Sequence, residues 1–390
     1  MTAPLRVGIL GGGQLALMLV EAAKRIGLRP YVFAASKTDC AVKVCDDISF
    51  DDGSLETLTK FCESVDVVTI ENEFIDLNLL SEATESAQLF PQLSCLRLAQ
   101  NKLDQKINLS QRNLSTLKFV PVKTKSDLLR AIEKFGDQLV LKRARLGYDG
   151  KGTFIFNKNR KLDPEAFWHE QRNNSIGSDF EGYAEPLADF EKELAVIVAR
   201  SIDGQTFTFP VIETNQDGGV CHWAVTPTKL ETSVETRVAR VAVDIISAFD
   251  GIGVFGVEMF LLRDKSIVVN EIAPRVHNSG HLTMDGCNLS QFEIHLRAIT
   301  GMDIEKPKVI CPGIAMVNIL GRGNMILRGD EDVPLRAPWK SLIDENKVWI
   351  HWYGKAGETK GRKLGHINVA ASNAEVALKE ALALRENILI

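Results

Sequence analysis

The chain has 390 residues, several times the length of a usual domain, so more than one folding unit is expected. Its 45% hydrophobic and 25% charged residues are ordinary globular values and exclude a disordered or fibrous chain. A net charge of −5 argues against a general binder of nucleic acid or anionic membranes, while leaving room for a local basic site.

The opening predicts alternating strands and helices. Leu5–Leu10 is an apolar run ending in Gly11-Gly12-Gly13, and Gln14–Ile26 is helical up to Gly27. Tyr31–Ala34 predicts a second strand, Ser54–Ser64 a helix, Val67–Ile70 a third strand, Ile75–Ala87 a short helical region and Gln88–Phe90 a further strand. Alternation of this kind implies a parallel sheet with helices on both faces. Leu98–Arg112 predicts one charged helix. Gln138–Lys142 and Phe154–Phe156 predict strands on either side of a basic loop, and Gly182–Ala199 and Thr206–Ile212 look like antiparallel strands. Helix Ser233–Phe249 precedes a hairpin, Gly253–Ile272, and then a loop, Ala273–Cys287. Helix Gln291–Thr300 carries a capping box, Ser290 with Glu293, and stops at Gly301. The last stretch, roughly 306–390, has short strands and a terminal helix opened by Ser372 and Glu375.

The longest apolar stretch, around Ile252–Leu262, is broken by Glu258 and is too short to cross a bilayer. The first residues run straight into a strand without a cleavable signal pattern. Seven cysteines are scattered and never spaced as CxxC, which suits reduced thiols better than disulfides or a zinc site. A cytoplasmic enzyme with neither a membrane nor a nucleic-acid partner is expected.

Four constellations carry chemistry. Gly11-Gly12-Gly13-Gln14-Leu15-Ala16 follows a strand and fits GxGxxA, a turn at which phosphate can approach a helix N-terminus. The ribose-binding carboxylate of a dinucleotide fold is missing, because the second strand runs out into Ala35-Ser36-Lys37 and Asp39 lies beyond the lysine. The turn therefore suits another anion, the substrate, or no ligand at all, better than NAD. The second constellation, Lys142–Thr153, has three glycines flanked by cations and makes a lid whose amides can wrap a polyphosphate, although it lacks the Walker order.

The third is a pair of carboxylates. If the hairpin closes symmetrically between Asp264 and Lys265, Glu258 and Glu271 stand opposite each other with Cβ atoms about 5 Å apart. Like charges so placed repel, at a cost that Mg²⁺ or Mn²⁺ would convert into affinity, and oxygen-only ligands favour those ions over zinc. The fourth is the run Asn270–His281. His277 and His281 are four apart, but Pro274, Asn278, Ser279 and Gly280 argue for a loop of donors rather than a zinc helix. A further basic loop, Gly354–Gly365, holds Lys355, Lys360, Arg362 and Lys363.

Together these residues resemble the ATP-grasp ligases, and among them the 5-(carboxyamino)imidazole ribonucleotide synthases of purine biosynthesis. The most specific pieces are Asn270–His281, Ser290-Gln291-Phe292-Glu293 with His295–Thr300, the tail His351-Trp352-Tyr353-Gly354-Lys355, and Gly361–His366. The opening Gly13-Gln14-Leu15 and the lid Gly147–Gly152 fall where that family has them. The resemblance implies an α/β and α+β fold. Residues 1–97 would form a parallel-sheet substrate domain, 98–305 an ATP-grasp domain of two α+β units, and 306–390 a small C-terminal domain that completes the substrate site.

It also implies ATP-dependent carboxylation of 5-aminoimidazole ribonucleotide by bicarbonate, through carboxyphosphate, in a cytoplasmic homodimer. Lys102 and Lys142 would contact phosphates, and Gly147, Tyr148, Asp149, Gly150, Lys151, Gly152 and Thr153 would close over them. Glu185, Pro186, Leu187 and Ala188 would meet the adenine, Glu193 the ribose, and Asn270 and Glu271 would complete the ATP site, with Glu258 and Glu271 on Mg²⁺. Gln14, Leu15, Glu73 and Tyr148 would border the ribonucleotide, with Glu73 accepting from its amine. Lys355, Arg362 and Lys363 would bind its phosphate, and Arg275, His277, Asn278 and Lys355 would serve the chemistry.

Three positions depart from the family pattern: Leu146 where a glycine is common, Thr359-Lys360 where Arg-Pro is common, and the order of Asn72 and Phe74 around Glu71. The last leaves open which of Glu71 and Glu73 meets the amine. The rival readings are a formate-dependent glycinamide ribonucleotide transformylase and a catalytically silent nucleotide-binding module. With no mutase-like domain after Ile390, the next reaction step is expected on another protein.

Overall fold

The computed structural model describes residues 3–85, 87–145, 147, 152–157, 161–174, 180–323, 347–355, 357 and 359–388. Its first sheet has the order β3-β2-β1-β4-β5, all parallel, from β1 (Arg6–Leu10), β2 (Arg29–Ala34), β3 (Asp47–Phe50), β4 (Val67–Ile70) and β5 (Gln88–Phe90). Val7, Ile9, Val32 and Val68 are fully buried between the helices on the two faces, which is why these strands are apolar along their length. Strand β3 escaped the sequence reading because Asp47-Ile48-Ser49-Phe50 has too little apolar run to announce itself.

The expected single helix over Leu98–Arg112 is two helices. Leu93–Gln100 ends at Asn101, whose extended backbone and side chain cap a second helix, Lys102–Gln111, by accepting from the Leu103 and Asp104 amides. A charged pattern reads continuously across such a break, whereas the cap is a local hydrogen-bonding choice of one asparagine. Lys102 thereby becomes the first residue of a helix. Its own N–H donates to the Ala144 carbonyl at 2.8 Å, which seats it beside the basic loop.

A four-stranded antiparallel sheet follows, in the order β6-β9-β7-β8, from β6 (Val120–Val122), β7 (Leu139–Arg143), β8 (Thr153–Ile155) and β9 (Gly182–Pro186). Two helices the sequence reading missed, Lys125–Phe135 and Pro164–Asn174, accompany it. The predicted continuous β stretch Gly182–Ala199 is in fact two strands in two sheets. β9 belongs to this one, and β10 (Phe190–Arg200) belongs to the next.

The largest sheet runs β15-β14-β10-β12-β13-β16-β18-β17, with β11 (Thr206–Thr208) on β10. Its remaining strands are β12 (Ile212–Asp217), β13 (Val220–Thr226), β14 (Gly253–Leu262), β15 (Ile267–Ala273), β16 (Gly313–Leu320), β17 (Val348–Trp352) and β18 (Lys363–Ala371). Gly218 and Gly219, both at positive φ, close β12 on β13, a two-residue hairpin that the Asp-Gly-Gly sequence could have announced. β13 pairs directly with β16, so the strands after residue 306 continue the preceding sheet. Helix Thr232–Phe249 packs Val238, Ala242, Ile245 and Ile246 on one face of it.

Helix Gln291–Thr300 has the expected capping box, Ser290 with Glu293, and ends at a left-handed Gly301. The terminal helix, Ala374–Glu386, is capped by Asn373 rather than opened by Ser372, since the Asn373 side chain accepts from the Val376 amide. No described helix is long and apolar enough to cross a membrane.

Candidate active site

The hairpin β14–β15 builds the floor of the site. Glu258 and Glu271 are register partners, as expected, but the route to that pairing differs from the expected one. Near the turn the register is Leu261↔Ile267, Phe260↔Val268 and Met259↔Val269, one residue out of step with a symmetric closure. An irregularity at Glu258/Met259 leaves Asn270 as the extra residue, and the bulge restores the Glu258↔Glu271 pair. It also turns Asn270 toward the same face. Its amide stands 3.4 Å from a Glu258 oxygen, and its carbonyl oxygen accepts from Lys142 at 2.9 Å. Lys102 donates to Glu271 at 2.8 Å; burial works against the ammonium charge, and the carboxylate more than compensates.

Behind Lys142 lies a buried ion triad. Glu185 on β9 and Lys142 on β7 are diagonal neighbours across the pair, and one Glu185 oxygen is 2.6 Å from the Lys142 Nζ. The other is 2.8 Å from Lys106, a lysine only 2% exposed that also donates to Thr116 at 2.7 Å. Burial alone would raise the Glu185 carboxyl, but the two ammoniums hold it below its ordinary range.

A second buried pair joins the first sheet to the hairpin. Arg275, just after β15, donates to Glu73 through Nε at 2.5 Å and Nη2 at 3.2 Å, across 202 residues of sequence. Burial pushes the Glu73 carboxyl up, and Arg275 overrides it and holds it low.

At the glycine turn, the N-terminus of helix Gln14–Arg25 meets Glu71, whose carboxylate accepts from the Ala16 amide at 3.1 Å. A Cβ at Gly13 would lie 2.2 Å from a Glu71 oxygen, and one at Gly11, with φ of +114°, would lie 2.8 Å from its Cγ. The turn that reads as a phosphate cradle is therefore glycine-rich to admit the protein's own carboxylate, which takes the place an external anion would take at a helix N-terminus.

The Asn278–Gly280 segment is a single 3₁₀ turn, not a zinc-binding helix. His277 accepts at Nδ1 from, or donates to, the Ser279 hydroxyl at 2.8 Å, and burial lowers its pKa. Gln291 holds the His277 backbone from both sides, receiving its N–H at 2.8 Å and donating to its carbonyl at 2.7 Å. Asn278 is held by Asn318 of β16. Glu193 of β10 accepts from the Gln216 amide at 2.8 Å, and burial, with Glu258 nearby, pushes its carboxyl up to about 7.

All these elements converge on one cleft of about 450 Å³. Gln14, Leu15 and Glu73 line it at one end, and Pro186, Leu187, Ala188 and Glu193 at the other. Lys102, Lys142, Thr153, Glu185, Glu258, Asn270, Glu271, Arg275, His277, Asn278 and Lys363 line it as well. Of the expected lid, Gly147, Gly152 and Thr153 are described, and Tyr148, Asp149, Gly150 and Lys151 lie outside the described residues.

Lys355 and Arg362 are not brought to this cleft as Lys363 is. Arg362 donates to the Gly357 carbonyl at 3.1 Å. Lys355 rests over the Tyr353 ring, 5.5 Å from its centroid, and burial lowers its pKa to about 8. Tyr353 is itself fixed by a 2.8 Å hydrogen bond to His366, which stacks on His351. Sequence reasoning missed Lys106, Gln216 and Asn318. Each acts through a partner distant in sequence, and no local pattern marks it.

Among the described residues no trio of His, Cys, Asp or Glu could hold a metal unaided. The two glutamates of the hairpin, with the Gln216 amide 2.9 Å from one of them, form an oxygen-rich pair that fits a cation shared with phosphate.

Residues 107–292 match the ATP-grasp domain, 5–100 the ribonucleotide synthetase preATP-grasp domain, and 314–380 the phosphoribosylaminoimidazole carboxylase C-terminal domain. The N5-carboxyaminoimidazole ribonucleotide synthase of Synechococcus elongatus is 36% identical over 370 residues, covering 94% of this chain and 90% of that one. The chain belongs to the N5-carboxyaminoimidazole ribonucleotide synthase family. It is an ATP-grasp ligase.

The synthase of Bacillus subtilis is similar too, at 34% identity over 93% of this chain and 90% of its own length. The phosphoribosylaminoimidazole carboxylase of Candida albicans is 35% identical, and the chain spans only 65% of it. Among solved structures, the carboxyaminoimidazole ribonucleotide synthase of Aspergillus clavatus complexed with ATP superposes with a TM-score of 0.84 at 34% identity, over the whole of both chains. The same organism's enzyme in complex with ADP and 5-aminoimidazole ribonucleotide gives 0.83 at 31%.

Proposed function

We infer that the chain carries out the reaction of its family, the ATP-dependent carboxylation of 5-aminoimidazole ribonucleotide with bicarbonate to the N5-carboxyamino product, ADP and phosphate. One observation carries the assignment of residues. A single cleft unites two lysines and two register-paired glutamates with Arg275, Gln14, Leu15 and Glu73. We propose the roles that follow on that basis.

Lys102 and Lys142 meet ATP phosphates, and their present carboxylate and amide partners hold them extended toward the cleft. Glu258, Glu271 and Asn270 would hold Mg²⁺ or Mn²⁺, which when bound neutralises phosphate charge during transfer. Pro186, Leu187 and Ala188 meet the adenine, and Glu193 the ribose hydroxyls. The Glu185 carboxylate is held by the two lysines, so Glu185 would meet the base through its other atoms.

At the other end, Arg275 is fixed by two hydrogen bonds to Glu73, so its charge is aimed before any substrate arrives. Bicarbonate, and the carboxyphosphate made from it, would sit between Arg275, His277 and Asn278. His277 is held neutral by burial, which suits it to accept or pass a proton without competing for the anion. Glu73 accepts two hydrogen bonds from Arg275 and would accept a further one from the substrate amine. Lys363 from the cleft wall and Lys355 from beside Glu71 would receive the 5′-phosphate. Carboxyphosphate hydrolyses in water, so the chemistry requires a cleft kept dry. We further propose a cytoplasmic homodimer, as the resemblance implies, with residues 1–97, 98–305 and 306–390 as its units.

The test is ADP release with MgATP and bicarbonate, with and without 5-aminoimidazole ribonucleotide. Strong stimulation by the ribonucleotide is expected. Stimulation instead by glycinamide ribonucleotide with formate would replace the reaction, and none by either would leave a silent module.

Lys355 gives a pH prediction. With its pKa near 8, the ammonium is present at neutral pH and lost above it. Ribonucleotide affinity should therefore fall by up to about tenfold per pH unit above 8, while MgATP affinity stays level. Lys355→Ala should bind the ribonucleotide weakly at every pH and lose that slope. A slope retained in Lys355→Ala would move the titration to another group.

A further inference from the structure

The buried ion triad contains one carboxylate and two ammoniums, and of the two ammoniums that of Lys142 lines the cleft while that of Lys106 does not. Glu185 is 2% exposed and Lys106 also 2%, whereas Lys142 reaches the cleft wall. Lys106 is no part of that wall. It lies behind, with its Nζ on Glu185 at 2.8 Å and on the Thr116 hydroxyl at 2.7 Å, and with the Tyr183 ring 5.8 Å away. A lysine so deep carries a large desolvation cost, which a single ion pair with a surface-facing partner would not explain.

We propose that Lys106 is a positioning residue for nucleotide binding: by sharing Glu185 with Lys142 it keeps the triad at a net charge of +1 and leaves the Lys142 ammonium free to act on phosphate. The sum is simple. With both lysines present, one negative charge faces two positive ones. Without Lys106, Glu185 and Lys142 form a closed neutral pair at 2.6 Å, and the carboxylate draws the ammonium back from the cleft. The 2.9 Å hydrogen bond to Asn270 is what now holds Lys142 forward, on the bulge beside Glu258 and Glu271. Lys106 therefore tunes a phosphate contact from a place no phosphate reaches.

The inference rests on the proposal that Lys142 meets ATP, so the experiment separates the two. Equilibrium binding of MgATP and of adenosine is measured for the full chain and for Lys142→Met, Lys106→Met and Lys106→Met/Glu185→Gln. Lys142→Met should weaken MgATP and spare adenosine; if MgATP is unchanged there, the phosphate assignment itself fails. Lys106→Met should weaken MgATP by about ten- to a hundredfold, the span of one charge-assisted hydrogen bond, again sparing adenosine.

The double variant restores the net charge of +1 and should return MgATP affinity to within about threefold of wild type, because the carboxylate that trapped Lys142 is gone. It also removes both ions of a buried pair, so it remains a test should Lys106→Met fail to fold. A parallel loss of adenosine binding in Lys106→Met, or a double variant as weak as Lys142→Met, would overturn the proposal.

Discussion

Replacing Glu271 with glutamine is expected to lower ribonucleotide-stimulated ADP release by about a thousandfold, the range for removing one preorganised electrostatic group. Two effects combine in that substitution. The hairpin loses one carboxylate of its register pair, and Lys102 loses the anion that now stands 2.8 Å from its Nζ. The amide is nearly isosteric and Glu271 is partly exposed, so the fold should be retained and the unfolding midpoint should move little. The Mg²⁺ concentration at half-maximal rate should rise by at least about tenfold, because one of the two proposed metal carboxylates has become neutral. Glu258→Gln should shift the Mg²⁺ requirement in the same sense without freeing Lys102. Near wild-type rates at ordinary Mg²⁺ in Glu271→Gln would remove the pair from the metal site.

The second large effect is expected at Arg275. Arg275→Met leaves Glu73 charged, buried and without its guanidinium, and breaking a buried pair from one side costs about 3–5 kcal/mol. It should also abolish carboxylation if that guanidinium holds the bicarbonate-derived anion, as proposed. The pH dependence separates stability from activity. In the wild-type protein the Glu73 carboxyl is held low, so its contribution to stability is present above the ordinary carboxylate pKa and is lost as pH falls through the folded value. In Arg275→Met burial raises the same carboxyl without the guanidinium to oppose it, so the variant should recover stability as pH falls from 7 toward 5. Arg275→Met/Glu73→Gln should recover much of the denaturant midpoint at pH 7 and none of the activity. A single variant as stable as wild type at pH 7 would show that the pair contributes nothing to the fold.

These two sites mark how far the sequence could be read. Glu258 and Glu271 were placed opposite each other from spacing alone, because a hairpin ties residues that are close along the chain and its register follows from counting. The count came out right although the turn closes a residue away from symmetry, since the bulge at Asn270 compensates. Bulges have no composition signature, and this one decides that Asn270 faces Lys142.

Other local signals were equally legible. The strand–helix alternation of the first sheet, the Ser290–Glu293 capping box and the left-handed Gly301 all depend on residues within a few positions of each other. The order of motifs along the chain was enough for the resemblance to a ligase family, because families preserve motif order without any contact having to be known.

What the tertiary structure decided is where buried charges find partners. The glycine turn suggested an external anion, and the fold placed Glu71 there from 55 residues away. Lys106 looked like one more polar residue of a charged helix, and the fold buried it on Glu185. Arg275 and Glu73 meet across 202 residues. Periodicity reports which face of an element is apolar, and it does so for each element alone. An ion pair in a low-dielectric interior is set by which elements pack together, and that choice is made by the summed burial of the whole chain rather than by any segment of it.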